Sequence, residues 1–338
     1  MKLQVFISFL VALSSLASSA LVPDQYGLYQ KKSYLYRRQN MTGGGTTGNA
    51  SNGTSGGGGG SSGSGSVPII VVGGGSGGGG ASNASSGQAM SNFTGILNTT
   101  QLYSISSQVN QSLTSSSSSN GVVIVAGKKS LESIAFFLAI TTNTNKTIVV
   151  CNDQKLGQVV AMSEEAQGRG PLIVGKQKII YSGTLPPWGV PDGVIDDSNQ
   201  AHWFTNACPP LLTAWNSTLR TQYTNFTSTE SNSNNAIVPI VYEEGIAPSL
   251  LQSVSSFIQG LVVISSGSNS TTTEQSVSIP VVYTQPKGKP ISFIDNSTIP
   301  SNAIAGGYLS PVQAQILLSI AVSNGVNNTQ SLKQIFPL

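Results

Sequence analysis

The residues with the clearest chemical potential follow the apolar run Val67-Pro-Ile-Ile-Val-Val72, which opens into glycines from Gly73 to Gly80 interrupted by Ser76. Gly74-Gly75-Ser76-Gly77-Gly78 fits the Gly-x-Ser-x-Gly of a nucleophile elbow, a strand-to-helix turn that exposes a serine hydroxyl. Such a serine needs a base, and the only histidine is His202, in Ala201-His-Trp-Phe204. A lone histidine among aromatics reads as structural. A glycine loop after a strand also suggests phosphate binding, but no Lys-Ser/Thr follows, and a glycine run satisfies a dinucleotide fingerprint trivially. Asp192, Asp196 and Asp197 could bind calcium or work as paired carboxylates; a solvated loop is the simpler reading. There is no His/Cys cluster for zinc or iron, so no metal and no cofactor are expected.

Two cysteines, Cys151 and Cys208, can form one disulfide in an oxidising compartment. Cys151 ends a strand-like run, so a buried free thiol is the competing reading.

The compartment follows from the ends of the chain and its sequons. Residues 1–20 read as a signal peptide: Lys2, an apolar run from Leu3 to Leu16, then Ala17-Ser-Ser-Ala20. No later stretch reaches transmembrane length and no long apolar tail closes the chain, so no membrane anchor is expected. Residues 21–38 end in Arg37-Arg38, which resembles a dibasic processing site and marks the segment as a propeptide. Residues 39–66 are almost wholly Gly, Ser, Thr and Asn, too poor in apolar surface to offset chain entropy, and read as a disordered tether. Thirteen Asn-x-Ser/Thr sequons stand at Asn40, Asn49, Asn52, Asn83, Asn92, Asn98, Asn110, Asn145, Asn216, Asn225, Asn269, Asn296 and Asn327. Behind a signal peptide, exposed sequons are expected to carry glycans. The product is therefore expected outside the cell or in its wall, with wall components as candidate partners.

The net charge of +3 comes from the leader region. Removing residues 1–38 leaves 11 basic and 12 acidic residues. A near-neutral chain is a poor nucleic-acid binder, since that binding rests on phosphate neutralisation.

Beyond residue 66 the sequence alternates strands and helices. Apolar β-branched runs stand at 67–72, 121–126, 147–151, 178–181, 237–242, 261–264 and 279–283, continuous as in strands buried on both faces. Amphipathic helices are expected at 130–140, 248–258 and 310–322, the last with Ser310 as N-cap and Pro311 at the first helical position. This is an α/β pattern with mostly parallel sheets. The polar stretch 216–235 reads as a linker between an N-terminal α/β domain (67–215) and a C-terminal one (236–338).

Several segments resemble the bacterial-type (type II) asparaginase family, in the family's order. Ile304-Ala-Gly-Gly-Tyr-Leu-Ser-Pro-Val-Gln-Ala-Gln-Ile-Leu-Leu-Ser-Ile-Ala321 is similar to its closing Asn-Pro helix, and Leu332–Phe336 to its final short helix. Ser119–Gly127 with Ser130–Leu138 resembles its central strand and helix, and Val238–Tyr242 with Gln259–Gly267 its C-terminal domain. The segment 152–215 matches poorly. The resemblance implies an asparaginase-like two-domain fold and tetramers with sites between subunits, hence a homo-oligomer.

It also implies that the chemistry is gone. The family's nucleophilic threonine falls at Gly75, which has no nucleophile. Its motif tyrosine falls at Phe93. Its Thr-Asp-Thr after Gly127 is replaced by Lys128, Lys129 and Ser130, although the aspartate is what grips the substrate's ammonium. No counterpart of the catalytic lysine is found around Lys155. Ser106-Ser107-Gln108 resembles the family's Gly-Ser-Gln turn, making Ser107 and Gln108 candidate ligand contacts. The expected function is a secreted asparaginase-like glycoprotein without catalysis, structural or ligand-binding. The alternative is an active amidohydrolase with relocated residues, Ser76 taking over by a one-residue slip.

Overall fold

The computed structural model describes residues 67–72, 88–90, 97–115, 121–142, 144–175, 177–184, 190–205, 236–243, 253, 255–265, 278–285 and 293–336. The expected helix at 248–258 falls largely outside these residues.

Eight strands form one sheet: β1 (Ile69–Val72), β2 (Gln88–Met90), β3 (Gly121–Ala126), β4 (Thr147–Cys151), β5 (Pro171–Val174), β6 (Ile179–Ser182), β7 (Pro191–Ile195) and β8 (Ala201–Trp203). Their order is β2-β1-β3-β4-β5-β6-β7-β8. Pairing is parallel from β2 through β5 and antiparallel from β5 through β8. The expectation of a mostly parallel sheet therefore needs correction over 171–203. Chain length gives the reason, since a parallel return needs a crossover of a dozen or more residues. Only residues 175–178 join β5 to β6, and Lys178 turns the chain with φ 58°. Asn199, with φ 58°, turns β7 into β8.

A second sheet of four parallel strands has the order β12-β11-β10-β9, from β9 (Ile240–Tyr242), β10 (Leu261–Ile264), β11 (Val281–Thr284) and β12 (Ile304–Ala305).

Among the described residues five helices accompany the sheets. The sequence reading missed α1 (Thr99–Ser115). Its signal is a capping box: Gln101 N–H donates to Asn98 Oδ1 and Asn98 N–H to Gln101 Oε1, both at 2.9 Å. Leu102, Ile105, Val109 and Leu113 then form its buried stripe. The helix α2 (Leu131–Thr141) is buried nearly all round, as its Leu-x-x-Ile-Ala-Phe-Phe-Leu sequence requires. The short α3 (Gln154–Ala161) is capped by Asp153, which accepts from the N–H groups of Lys155 and Leu156. Ser310 and Gln313 make a full capping box with Pro311 at the start of α4 (Pro311–Ser323). Asn328 caps α5 (Thr329–Ile335).

The largest core cluster draws on both sheets, with Ile124, Ile148 and Ile173 beside Val262, Val282 and Ile304. Between them α2 packs on α1, α4, β4 and β5. Phe137 meets Tyr103 edge-on, ring centroids 5.0 Å apart. A smaller cluster on the other face of the large sheet joins Val123, Val149, Cys151 and Val160. Here Gly157 is needed for close approach: a Cβ would lie 2.5 Å from Cys151 Sγ and 2.8 Å from Val123 Cγ1. Gly157→Ala is expected to cost about 1–3 kcal/mol through overpacking, and a thermal melt should read this as a fall of several degrees. An unchanged melting temperature would contradict this packing of α3.

Candidate functional site

In open α/β sheets ligands bind beyond the carboxyl ends of the strands, where the strand order reverses. That point lies between β1 and β3: the chain passes from β1 to β2 on one side and then enters β3 on the other. Val72 and Ala126 are register partners at this edge. The end of β1 at Val72 thus lies beside the place where Gly127-Lys128-Lys129-Ser130 leaves β3.

Gly127 is extended (φ −64°, ψ 146°), and Lys128–Ser130 form one 3₁₀ turn leading into α2, with Ser130 N–H on Gly127 O at 2.9 Å. Both lysine side chains are exposed. A Cβ at Gly127 would meet nothing within 4 Å, so the edge is open there. Neither Gly127 nor Ser130 offers a side-chain cap to the turn or to α2. Among the described residues, the charges at the ends of β1 and β3 are those of Lys128 and Lys129. Gly75, Ser76 and Phe93 lie outside the described residues, as do Arg37, Arg38 and Cys208.

Ser106-Ser107-Gln108 do not form a turn, which corrects the expectation. They lie inside α1, whose apolar stripe commits them to helical backbone. The C-terminal end of α1 sits at the amino edge of the sheet, where Lys146 Nζ, just before β4, donates to Leu113 O at 2.8 Å. Ser107, eight residues into the helix, is therefore about 12 Å below its start. The structure does not bring Ser107 and Gln108 into one turn with Lys128 and Lys129.

His202 cannot serve a serine near Ser76. β8 is six strands from β1, roughly 29 Å along the sheet at about 4.8 Å per strand. Ser76 is four residues from Val72, a reach of about 14 Å at most. The histidine is instead held locally, its Nε2 2.8 Å from Asp196 Oδ2. Asp196 also accepts from Gln200 N–H at 2.9 Å, and these two partners hold its carboxyl below the ordinary range. Asp197 pairs with Lys178 at 3.2 Å. Asp192 is buried, its carboxyl pushed up by burial and drawn back by Arg169. The three carboxylates thus have separate side-chain partners, although Lys178 Nζ also donates to the Asp196 carbonyl at 3.0 Å. Among the described residues no group of three His, Cys, Asp or Glu could hold a metal.

Cys151 is a free, fully buried thiol, pushed up to about 12 chiefly by burial. Thiolate is the reactive form, so this site is chemically silent in the folded chain.

Of the described sequons, Asn98, Asn145, Asn296 and Asn327 are exposed and Asn110, within α1, is half-buried. Asn40, Asn49, Asn52, Asn83, Asn92, Asn216, Asn225 and Asn269 lie outside the described residues.

Two groups escaped the sequence reading. Arg169, 5 % exposed, stacks 4.2 Å over the Trp203 ring while donating to Glu165 O at 2.6 Å and Thr205 Oγ1 at 3.3 Å. Glu132 receives the Ser310 hydroxyl across the α2–α4 junction. Its signal in the sequence was a single charge in an otherwise apolar helix.

Comparison with known proteins places this architecture. The chain is 48% identical over 267 residues to the sporulation-specific wall maturation protein of Saccharomyces cerevisiae, covering 73% of this chain and 82% of that one. It is 44% identical over 257 residues to protein YGP1 of the same yeast, 73% of this chain and 72% of that one. The chain belongs to the family of these two proteins. Yeast L-asparaginase 2-3 is more distant, 24% identical over 251 residues, 64% of this chain and 67% of that one. No family model matches. This distant similarity supports an asparaginase-like relationship for the α/β chain. The extracellular or wall location expected from the leader agrees with the first relative's name, and among the described residues no helix is long and apolar enough to cross a membrane.

Proposed function

We propose that this chain is a secreted glycoprotein of the cell wall, built on an asparaginase-like scaffold that no longer hydrolyses amides. It serves there as a structural component or holds a small ligand at the crevice between β1 and β3. The observation that carries this reading is the exposed Lys128–Lys129 turn at the switch point. A site for an amino acid amide needs an anion for the substrate's ammonium; this edge offers two cations. The wall-maturation name of a relative at 48% identity supports the wall assignment. The division into leader, propeptide, tether and two α/β domains belongs to the same proposal, as does glycan attachment at the exposed sequons.

Culture fractionation tests it. The mature protein should appear in the medium or wall fraction, begin at Gln39 after cleavage behind Arg38, and lose mass on treatment with an N-glycosidase. An intracellular, unglycosylated product, or one that begins before Gln39, would contradict the corresponding step.

A further inference from the structure

The three helices that meet between the two sheets contain one charged side chain. α1 and α4 have no Asp, Glu, Lys or Arg, and α2 has only Glu132, in its first turn. Glu132 is mostly buried, and its Oε1 accepts the hydroxyl hydrogen of Ser310. Ser310 is the N-cap of α4, 178 residues further along the chain. The same hydroxyl oxygen accepts Gln313 N–H at 3.2 Å, and Gln313 Oε1 accepts Ser310 N–H at 3.2 Å. Gln313 is wholly buried and Ser310 is 9 % exposed. One carboxyl on α2 is therefore tied to the capping box that starts α4.

We propose that Glu132 is a pH latch: uncharged, it lets the first turns of α2 and α4 pack together, and its ionisation loosens that junction and the Lys128–Lys129 turn leading into it. The inference stands apart from the loss of amidase chemistry and does not depend on it.

Burial pushes the Glu132 carboxyl from its ordinary 4.5 up to about 7, with the Ser310 hydroxyl drawing it back in part. The groups facing it leave this direction intact. Lys128 and Lys129 sit on the turn before α2 with their side chains in solvent. β4 and β5 bring no charged residue. Tyr103 on α1 and Tyr308 before α4 are phenols pushed up to about 12 by burial, so they stay neutral through this range. The N-terminal ends of α2 and α4 each favour the carboxylate, by roughly two- to five-fold at a helix end. In a partly buried geometry one such end reaches about 30-fold, which opposes the shift but stays below the roughly 300-fold that separates 4.5 from 7.

The sign follows from linkage. A carboxyl raised in the folded state binds its proton more tightly there than in the unfolded chain. Its stabilising contribution is complete below about 4.5 and is lost as pH rises through about 7. The latch is closed in acid and released near neutrality.

Denaturant unfolding of the full mature chain between pH 4 and 8 tests this, comparing wild type with Glu132→Gln. The amide is neutral at every pH and keeps an acceptor for Ser310. Wild type should lose up to roughly 300-fold in its folding constant across the window, relative to Glu132→Gln, and the two should agree at pH 4. Contributions from groups common to both chains, Asp192 among them, cancel in the comparison. Ser310→Ala, which removes the donor that favours the carboxylate, should move the wild-type transition to higher pH. A Glu132→Gln variant with the wild-type pH slope overturns the latch. If that variant does not fold, hydrogen exchange in wild type decides: after correction for intrinsic rates, protection of the first turns of α2 and α4 must fall through the same window. Constant protection there also overturns the proposal.

Discussion

Leu317→Asp is expected to abolish secretion of folded protein, whereas Lys128→Ala leaves yield and melting temperature unchanged. Leu317 is 1 % exposed on α4, in the cluster that joins both sheets. The substitution removes a side chain whose burial contributes about 1.5–3 kcal/mol. It also places a carboxylate in an apolar cluster among helices α1, α2 and α4, none of which carries a cation. An unpaired buried charge adds several kcal/mol more, even after the group neutralises itself by taking up a proton. The total approaches the whole stability of a domain, about 5–15 kcal/mol. Lys128 has its side chain in solvent on a 3₁₀ turn, and substitutions at such positions usually stay within about 0.5 kcal/mol. Secreted yield by immunoblot and a thermal melt of each variant make the comparison. Tolerance of Leu317→Asp would mean that α4 is not the wedge between the sheets, and unfolding by Lys128→Ala would give the turn a structural role.

That contrast reflects what one sequence can express. The strands at 121–126, 147–151 and 261–264 were legible because strands covered on both faces must be apolar and β-branched without interruption. The helix α4 was legible because Ser310-Pro311 marks its start chemically. α1 was not, because fourteen of the seventeen residues from Thr99 to Ser115 other than its leucines and isoleucine read largely as Ser, Thr, Asn and Gln; its four buried apolar positions carry the signal only once the Asn98–Gln101 box fixes the phase. The antiparallel tail β5–β8 was hidden for a different reason. Runs such as Pro171–Val174 look alike in either direction, and the direction is set by connector length and by Lys178 and Asn199 at positive φ. In the candidate site, the lysine turn could be placed because it directly follows β3. Ser107 and Gln108 fall in a helix and not in a turn, because three residues in a Ser-rich stretch carry no backbone information of their own. The Glu132–Ser310 contact joins positions 178 residues apart. Nothing local in either segment encodes it.

The mature protein is expected to release no ammonia from asparagine or glutamine at enzymatic rates, about 1 s⁻¹ or above, and Gly75→Thr alone should not change this. On the asparaginase resemblance two requirements fail separately. The nucleophile position is Gly75, which cannot form a covalent bond to the amide carbon. The ammonium of the substrate has lost its aspartate and would meet Lys128 and Lys129, exposed at the edge where β3 ends. Restoring a hydroxyl at residue 75 repairs only the first. Residues that act as one unit in catalysis are strongly non-additive, so returning one member of a broken set recovers almost nothing. Adding Lys128→Thr and Lys129→Asp restores the missing anion and removes both cations. If the crevice still has the ancestral shape, binding of asparagine should respond to that pair of changes before any turnover does, and calorimetry on the variants would detect it. Ammonia release by the unmodified protein would instead establish the rival reading, in which Ser76 or another group has taken over. His202 is not available to activate Ser76, since five strands lie between β8 and β1. Such an enzyme would need a base other than the chain's single histidine, and a pH–rate profile with no histidine-range limb would be its signature.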